Sequence, residues 1–118
     1  MLLHIIPQTD WQQAQAQRLY RAASLESEGF IHCSTVAQVL TAADSHFRGV
    51  AGLALLVIDP ALVAAPIVYE DSYGSGQEYP HIYGPLNLEA VKRVLDFPVR
   101  PDGGFDLPPE LADHNTLV

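Results

Sequence analysis

The stretch Leu-Ala-Leu-Leu-Val-Ile, residues 53–58, decides how the rest of the chain is interpreted. A nearly unbroken apolar run of this length is typical of a strand that is covered on both faces. Asp59 and Pro60 follow it directly and turn the chain. We therefore expect a central strand over 53–58, with the remaining elements packed on either side of it.

Short apolar or alternating stretches on both sides of this run have the composition of further strands. Most are bounded by glycine, proline or polar residues, which favour turns. The expected strands span residues 2–6, 30–34, 67–70, 81–83 and 91–99. The loop 71–78 between two of them contains Gly74 and Gly76, which allow backbone angles closed to other residues.

Two capping boxes predict helix starts, one at Thr9 to Gln12 and one at Thr35 to Gln38. The first helix would carry an apolar stripe, and so would the second, which we expect to end at a left-handed Gly49. The first stripe consists of Ala16, Leu19, Tyr20 and Ala23, and the second of Val36, Val39, Leu40, Ala43 and Phe47.

The length of 118 residues and the 48% of hydrophobic residues indicate a single packed domain of the α+β class. We place this domain at residues 1–99. From Arg100 onward the chain is rich in proline and glycine, so residues 100–118 are predicted to form an extended or partly disordered tail.

The formal charge of -8 makes nucleic acid and anionic membranes poor partners, because the averaged field repels both. No secretory signal or apolar run long enough for a bilayer is found, and the lone Cys33 excludes an internal disulfide. We therefore expect a cytoplasmic protein without a membrane partner. Its oligomeric state cannot be predicted.

The segment Gly29 to Ser34 is the first candidate for a functional site. In a strand, the side chains of Phe30, His32 and Ser34 would share one face, and Cys33 would face the opposite way. A strand end at the start of a helix suits a phosphate or a polar carboxamide. The structural alternative is that His32 only bonds to backbone and Ser34 only caps the helix.

The segment Pro80 to Gly84 is the second candidate, because His81 and Tyr83 would again share one face. His81 could serve as acid or base, and Tyr83 could stack on a flat ring. Glu70 ends the preceding strand and is the preferred carboxylate, with Glu78 second. An edge strand with aromatic packing and solvated carboxylates is the structural alternative.

Several motifs occur in a fixed order along the chain: Trp11, Gly-Phe-Ile-His-Cys-Ser-Thr at 29–35 followed by Gln38, Ile58-Asp59, Tyr69-Glu70 and Pro-His-Ile-Tyr-Gly-Pro-Leu at 80–86. Together they resemble the bacterial domain of unknown function 952 family. The resemblance extends over about residues 3–97. The family is grouped with the ADP-ribosyltransferase-like fold, which implies two small mixed β-sheets forming a cleft, with two main helices.

The resemblance also implies roles for individual residues toward NAD as a substrate. His32 would bond a ribose hydroxyl, and the backbone of Cys33 would clamp the nicotinamide amide beside Ser34. The stacking ring would come from Tyr69, Tyr73 or Tyr83. Glu70 or Glu78 would stabilise an oxocarbenium-like transition state. His81, which the pattern of its own segment makes a possible acid or base, is a further catalytic candidate.

Two functions remain open at this point. One is an enzyme that transfers or hydrolyses the ADP-ribosyl group of a nicotinamide dinucleotide, and the other is a non-catalytic module that holds a small ligand in the same cleft. A metal site is not predicted, because His32 and adjacent Cys33 would face apart and the metal-binding histidine and cysteine spacings are missing.

Overall fold

The computed structural model describes residues 1–111, which form small antiparallel sheets and short helices. The strands are β1 (Leu2–Pro7), β2 (Leu19–Tyr20), β3 (Ile31–His32), β4 (Leu53–Ile58), β5 (Ile67–Glu70), β6 (Tyr79–Ile82), β7 (Leu86–Asn87) and β8 (Val91–Phe97). The α-helices are α1 (Gln8–Gln17), α2 (Ala23–Ser27) and α3 (Val39–His46), and 3-10 turns span Pro60–Leu62 and Leu88–Ala90.

The expected central strand is confirmed as β4, which lies between β1 and β8 in an antiparallel sheet. All six of its residues are buried. Alternate side chains enter two different cores, since Leu56 and Ile58 belong to one cluster and Leu55 and Val57 to the other. The apolar run is unbroken because both faces of the strand are covered.

The α+β class is confirmed, but the expectation of two mixed sheets is wrong. Within residues 1–111 there are three small sheets, and every pairing is antiparallel. The second sheet has the order β3-β6-β5, and β2 pairs with β7 in the third. An isolated bridge between Leu3 and Ser34 connects the first sheet to the end of β3.

The first helix is shorter than the sequence predicts, and its expected apolar stripe does not exist. The helix ends at Gln17 because Arg18 adopts a left-handed conformation, with φ 60°. Tyr20 is then buried in β2 rather than on the helix. The capping box at Thr9 does not form, since Pro7 occupies the N-cap without a side-chain bond.

The second capping box forms in part, and it shapes a turn before α3. The Thr35 N–H donates to the Gln38 side chain over 3.1 Å, and the helix begins only at Val39. Val39 and Ala43 are buried, and Gly49 has the expected positive φ of 79°. No helix within residues 1–111 has the length and hydrophobicity needed to cross a bilayer.

Residues 100–111 correct the expected boundary at residue 99, because they belong to the packed domain. Phe105 is 4% exposed and stacks on Phe97 with ring centroids 4.7 Å apart, and Leu111 is 2% exposed in the same core. Backbone pairing between Val99 and Phe105 fixes the turn between them. Residues 112–118, the remainder of the predicted tail, lie outside the described part.

Candidate functional site

A cleft of about 620 Å³ lies beside β3, β5 and β6 and is bordered by β1, α3 and the loop 71–78. Its lining includes both histidines that the sequence singles out, His32 and His81. The two segments that carry the predicted site, although far apart in the chain, therefore meet in one hollow. Their meeting follows from the antiparallel pairing of β3 with β6.

His32 and His81 are directly opposite each other in that pairing, so their side chains project from the same face of the sheet. The ring centroids are 5.3 Å apart and the rings meet edge to face. His81 is buried, with 2% of its side chain exposed, whereas the His32 side chain is 38% exposed. The cleft thus presents one shielded and one accessible imidazole.

Glu70 holds the buried imidazole. The His81 Nδ1–H donates to Glu70 Oε1 over 2.8 Å, and the Tyr83 hydroxyl donates to the same oxygen. The bonds from Tyr83 and from His81 lower the pKa of the Glu70 carboxyl, and the pKa of Tyr83 is raised in return. A carboxylate can only accept, so Nδ1 of His81 carries a proton, and in the neutral form of the ring Nε2 is then an acceptor.

Phe30 fixes the plane of the same imidazole. Its ring stacks on His81 with centroids 4.0 Å apart and an interplanar angle of 11°. It also meets His32 edge to face, with ring centroids 4.9 Å apart, and its centroid lies 5.3 Å from that of Tyr83. These contacts confirm the prediction that the side chains of Phe30 and His32 lie on the same face.

The accessible imidazole has its own carboxylate, Glu28, which sequence reasoning missed as a site residue. Glu28 Oε2 lies 2.7 Å from His32 Nε2, and its other oxygen accepts from the Tyr73 hydroxyl over 2.7 Å. The bonds from His32 and then Tyr73 lower the Glu28 pKa, and Glu28 raises the pKa of Tyr73 to about 12. No local pattern indicates this pair, because Glu28 follows the end of α2 and His32 lies in β3, so the two are not on one helix.

A second buried histidine, His4, is hydrogen-bonded to the backbone of the site. His4 Nδ1–H donates to the His32 carbonyl over 2.5 Å, and the Tyr20 hydroxyl donates to His4 Nε2 over 2.8 Å. Burial lowers the pKa of His4 to about 4, so the ring is neutral near pH 7. Neither His4 nor Tyr20 was recognised from the sequence as part of this arrangement.

Cys33 borders the cleft, although its side chain and its backbone N–H are both engaged within the protein. Its side chain is buried in the core, and burial raises its pKa to about 12. Its backbone N–H donates to the Pro80 carbonyl over 3.0 Å and is therefore not free to clamp a ligand amide. Ser34 borders the cleft, but its backbone is paired with Leu3.

The remaining predicted residues divide between the cleft and its surroundings. Tyr69 points away from Glu70 because the two are adjacent in β5, and it is 51% exposed outside the cleft lining. Glu78 is also outside the lining, and its carbonyl accepts from the Gln38 side chain over 2.8 Å. Tyr83 contacts the site through Glu70. Of the three tyrosines considered for stacking, Tyr73 is the one that lies parallel to His32, at 6.0 Å and 9°.

Comparison with known proteins identifies the family. The profile of "Protein of unknown function (DUF952)" matches residues 5–94. The crystal structure of protein CC0527 from Caulobacter crescentus is 32% identical, with a TM-score of 0.82 over 98% of this chain and 97% of that one. The solution NMR structure of CC0527 is 33% identical, with a TM-score of 0.77 over 99% and 97% of the two chains.

A double mutant of CC0527 gives the same values as the first crystal structure, with 32% identity, a TM-score of 0.82 and coverage of 98% and 97%. Comparison with curated proteins gives no match. The matched profile covers more than half of the chain, and the similarity to CC0527 extends over nearly all of it. The chain therefore belongs to the DUF952 family.

Proposed function

We propose that this chain binds a nicotinamide dinucleotide in the cleft and transfers or hydrolyses its ADP-ribosyl group. The observation that supports this proposal is that His32 and His81 line one cleft and face each other across β3 and β6. A cleft of about 620 Å³ falls within the usual size range of small-molecule sites. The family resemblance provides the choice of ligand.

In this proposal, His32, Glu70 and His81 each have a different role. His32, the accessible imidazole, bonds a ribose hydroxyl. Glu70 faces the ribose as the positive charge develops, because both of its bonds within residues 1–111 use Oε1 and leave Oε2 free. His81 Nε2 takes a proton from the attacking group, helped by the carboxylate that holds Nδ1.

The hydrolytic step balances with water as the attacking group. The bond between the ribose C1′ and the nicotinamide nitrogen breaks, and nicotinamide leaves as a neutral molecule. A bond forms between C1′ and the water oxygen, and the proton released passes to His81 Nε2. Transfer follows the same course with the acceptor in place of water.

A non-catalytic binding module is the second candidate, and one observation favours it. Neither lysine nor arginine occurs among the residues that line the cleft in the described part of the chain. A dinucleotide carries a pyrophosphate, and proteins usually hold such groups with cationic side chains or helix N-termini. A module that holds a small ligand without phosphates would not need them.

One titration distinguishes the enzyme from the non-catalytic binding module. We expect binding of the dinucleotide by calorimetry together with release of nicotinamide by chromatography, and His32→Ala to remove both. Tyr69→Phe is the matched control, because Tyr69 lies outside the cleft. Binding without release would favour the module, and no binding at millimolar ligand would end the dinucleotide proposal.

A further inference from the structure

The lining of the cleft is acidic. It contains the three carboxylates of Glu28, Glu70 and Asp71, and within residues 1–111 it has no lysine or arginine to balance them. Each carboxylate is stabilised in its ionised form by hydrogen bonds, which lower its pKa. For Asp71 these bonds come first from the Gly76 and then from the Ser75 backbone.

Protonation of the histidines in the lining cannot make the net charge of the cleft positive. His4 is neutral near pH 7, since its pKa is lowered to about 4. Full protonation of His32, His46 and His81 together would only balance the three carboxylates. The lining is therefore negative or, at most, neutral around physiological pH, and an anionic ligand gains nothing from it.

The Nε2 atom of His81 indicates that a ligand of the cleft should also carry a hydrogen-bond donor. His81 is 2% exposed, and its Nε2 has no hydrogen-bond partner among the described residues. No fully buried side-chain nitrogen or oxygen in residues 1–111 lacks a partner, so this atom opens to the cleft. Because Glu70 keeps the proton on Nδ1, Nε2 of the neutral ring is an acceptor.

Aromatic rings add a further preference for positive charge. Tyr73 and Tyr79 both border the cleft, and Tyr73 lies parallel to the accessible ring of His32. The face of a tyrosine ring carries a partial negative charge and attracts cations. Carboxylates, ring faces and the free acceptor of His81 therefore favour the same kind of ligand.

We propose that the cleft selects a small organic cation that carries an N–H or O–H donor for His81 Nε2, over an anion of the same shape. This inference rests on the cleft assigned under the proposed function, but it concerns the charge of the ligand and does not require a dinucleotide. It applies to an enzyme and to a binding module alike.

Three flat probes of nearly equal shape test the charge directly: benzamidinium, benzamide and benzoate. At low ionic strength we expect benzamidinium to bind at least about tenfold tighter than benzoate, with benzamide between them. The difference should shrink at high salt, because exposed carboxylates are screened. Binding is followed by NMR titration, with shifts expected at His32, His81 and Tyr73.

Charge-removing variants locate the effect. Glu28→Gln and Glu70→Gln should each reduce the preference for benzamidinium several-fold. Glu26→Gln is the matched control, because Glu26 is exposed on α2 two residues before Glu28 and outside the cleft lining. It should leave the preference unchanged.

Several results would overturn the inference: equal affinity for the three probes, tightest binding of benzoate, shifts confined to residues outside the cleft, or no benzamidinium binding at millimolar concentration. The outcome is independent of the dinucleotide titration. Benzamidinium binding without dinucleotide binding would keep this inference and end the proposed function. The reverse result would end only this inference.

Discussion

His32 and His81 are cross-strand neighbours whose rings meet edge to face, 5.3 Å apart, while each bonds to a different carboxylate. The two histidine–carboxylate pairs differ in the imidazole nitrogen that bonds the carboxylate, which is Nε2 in His32 and Nδ1 in His81. They also differ in exposure, 38% against 2%. The two imidazoles therefore have different environments within one cleft, which suits different roles toward a ligand.

The first prediction concerns the tautomer of His81. Replacement of Glu70 by alanine removes the acceptor that holds the proton on Nδ1, so we expect both tautomers of the neutral ring to be populated. Tyr83→Phe removes only the other bond to Glu70 and should leave the Nδ1–H form in place. Proton–nitrogen correlation NMR of the imidazoles at pH 8 measures this. A single Nδ1–H form in Glu70→Ala would contradict the assignment.

Patterns of burial explain why parts of the fold could be predicted. The strand at residues 53–58 is fully buried, and its composition follows directly from that environment. The faces of Phe30, His32 and His81 were predictable because strand periodicity is fixed by backbone geometry. Antiparallel pairing of β3 with β6 then brings the two faces together, and no local pattern in the sequence specified that pairing.

Other features depend on tertiary contacts that no local pattern records. Arg18 ends α1 in a left-handed conformation that favours glycine or asparagine, so the sequence contains no stop signal there. Tyr73 meets Glu28 across 45 residues of chain, by way of an exposed loop. The buried bond from Tyr20 to His4 likewise joins segments that appear unrelated in the sequence.

The second prediction concerns the segment after residue 99. Phe105 is buried against Phe97 and shares a core with Leu111, so Phe105→Ala should reduce the free energy of unfolding by about 3 kcal/mol or more. Urea denaturation measures the change, with Phe105→Leu as a milder variant of similar volume. A loss below about 1 kcal/mol for the alanine variant would mean that this segment adds little to the core.

The third prediction concerns the pH dependence of stability through His4, which is 7% exposed. Burial lowers its pKa from 6.5 to about 4 in the folded protein. Between these values the unfolded chain binds the proton more readily, so stability falls as the pH decreases from about 6.5 to 4. From pH 7 to pH 5, His4 alone should reduce the free energy of unfolding by about 2 kcal/mol.

His4→Gln isolates this contribution, because a glutamine amide can donate to the His32 carbonyl and accept from Tyr20 without titrating. Its loss of stability between pH 7 and pH 5, measured by urea denaturation, should be about 2 kcal/mol smaller than that of the unmodified chain. His46→Gln, at an exposed position, should keep the full dependence. Equal pH dependence in His4→Gln and the unmodified chain would show that His4 is not held neutral by burial, and the assignment of His4 Nε2 as the acceptor of the Tyr20 hydroxyl would then be wrong.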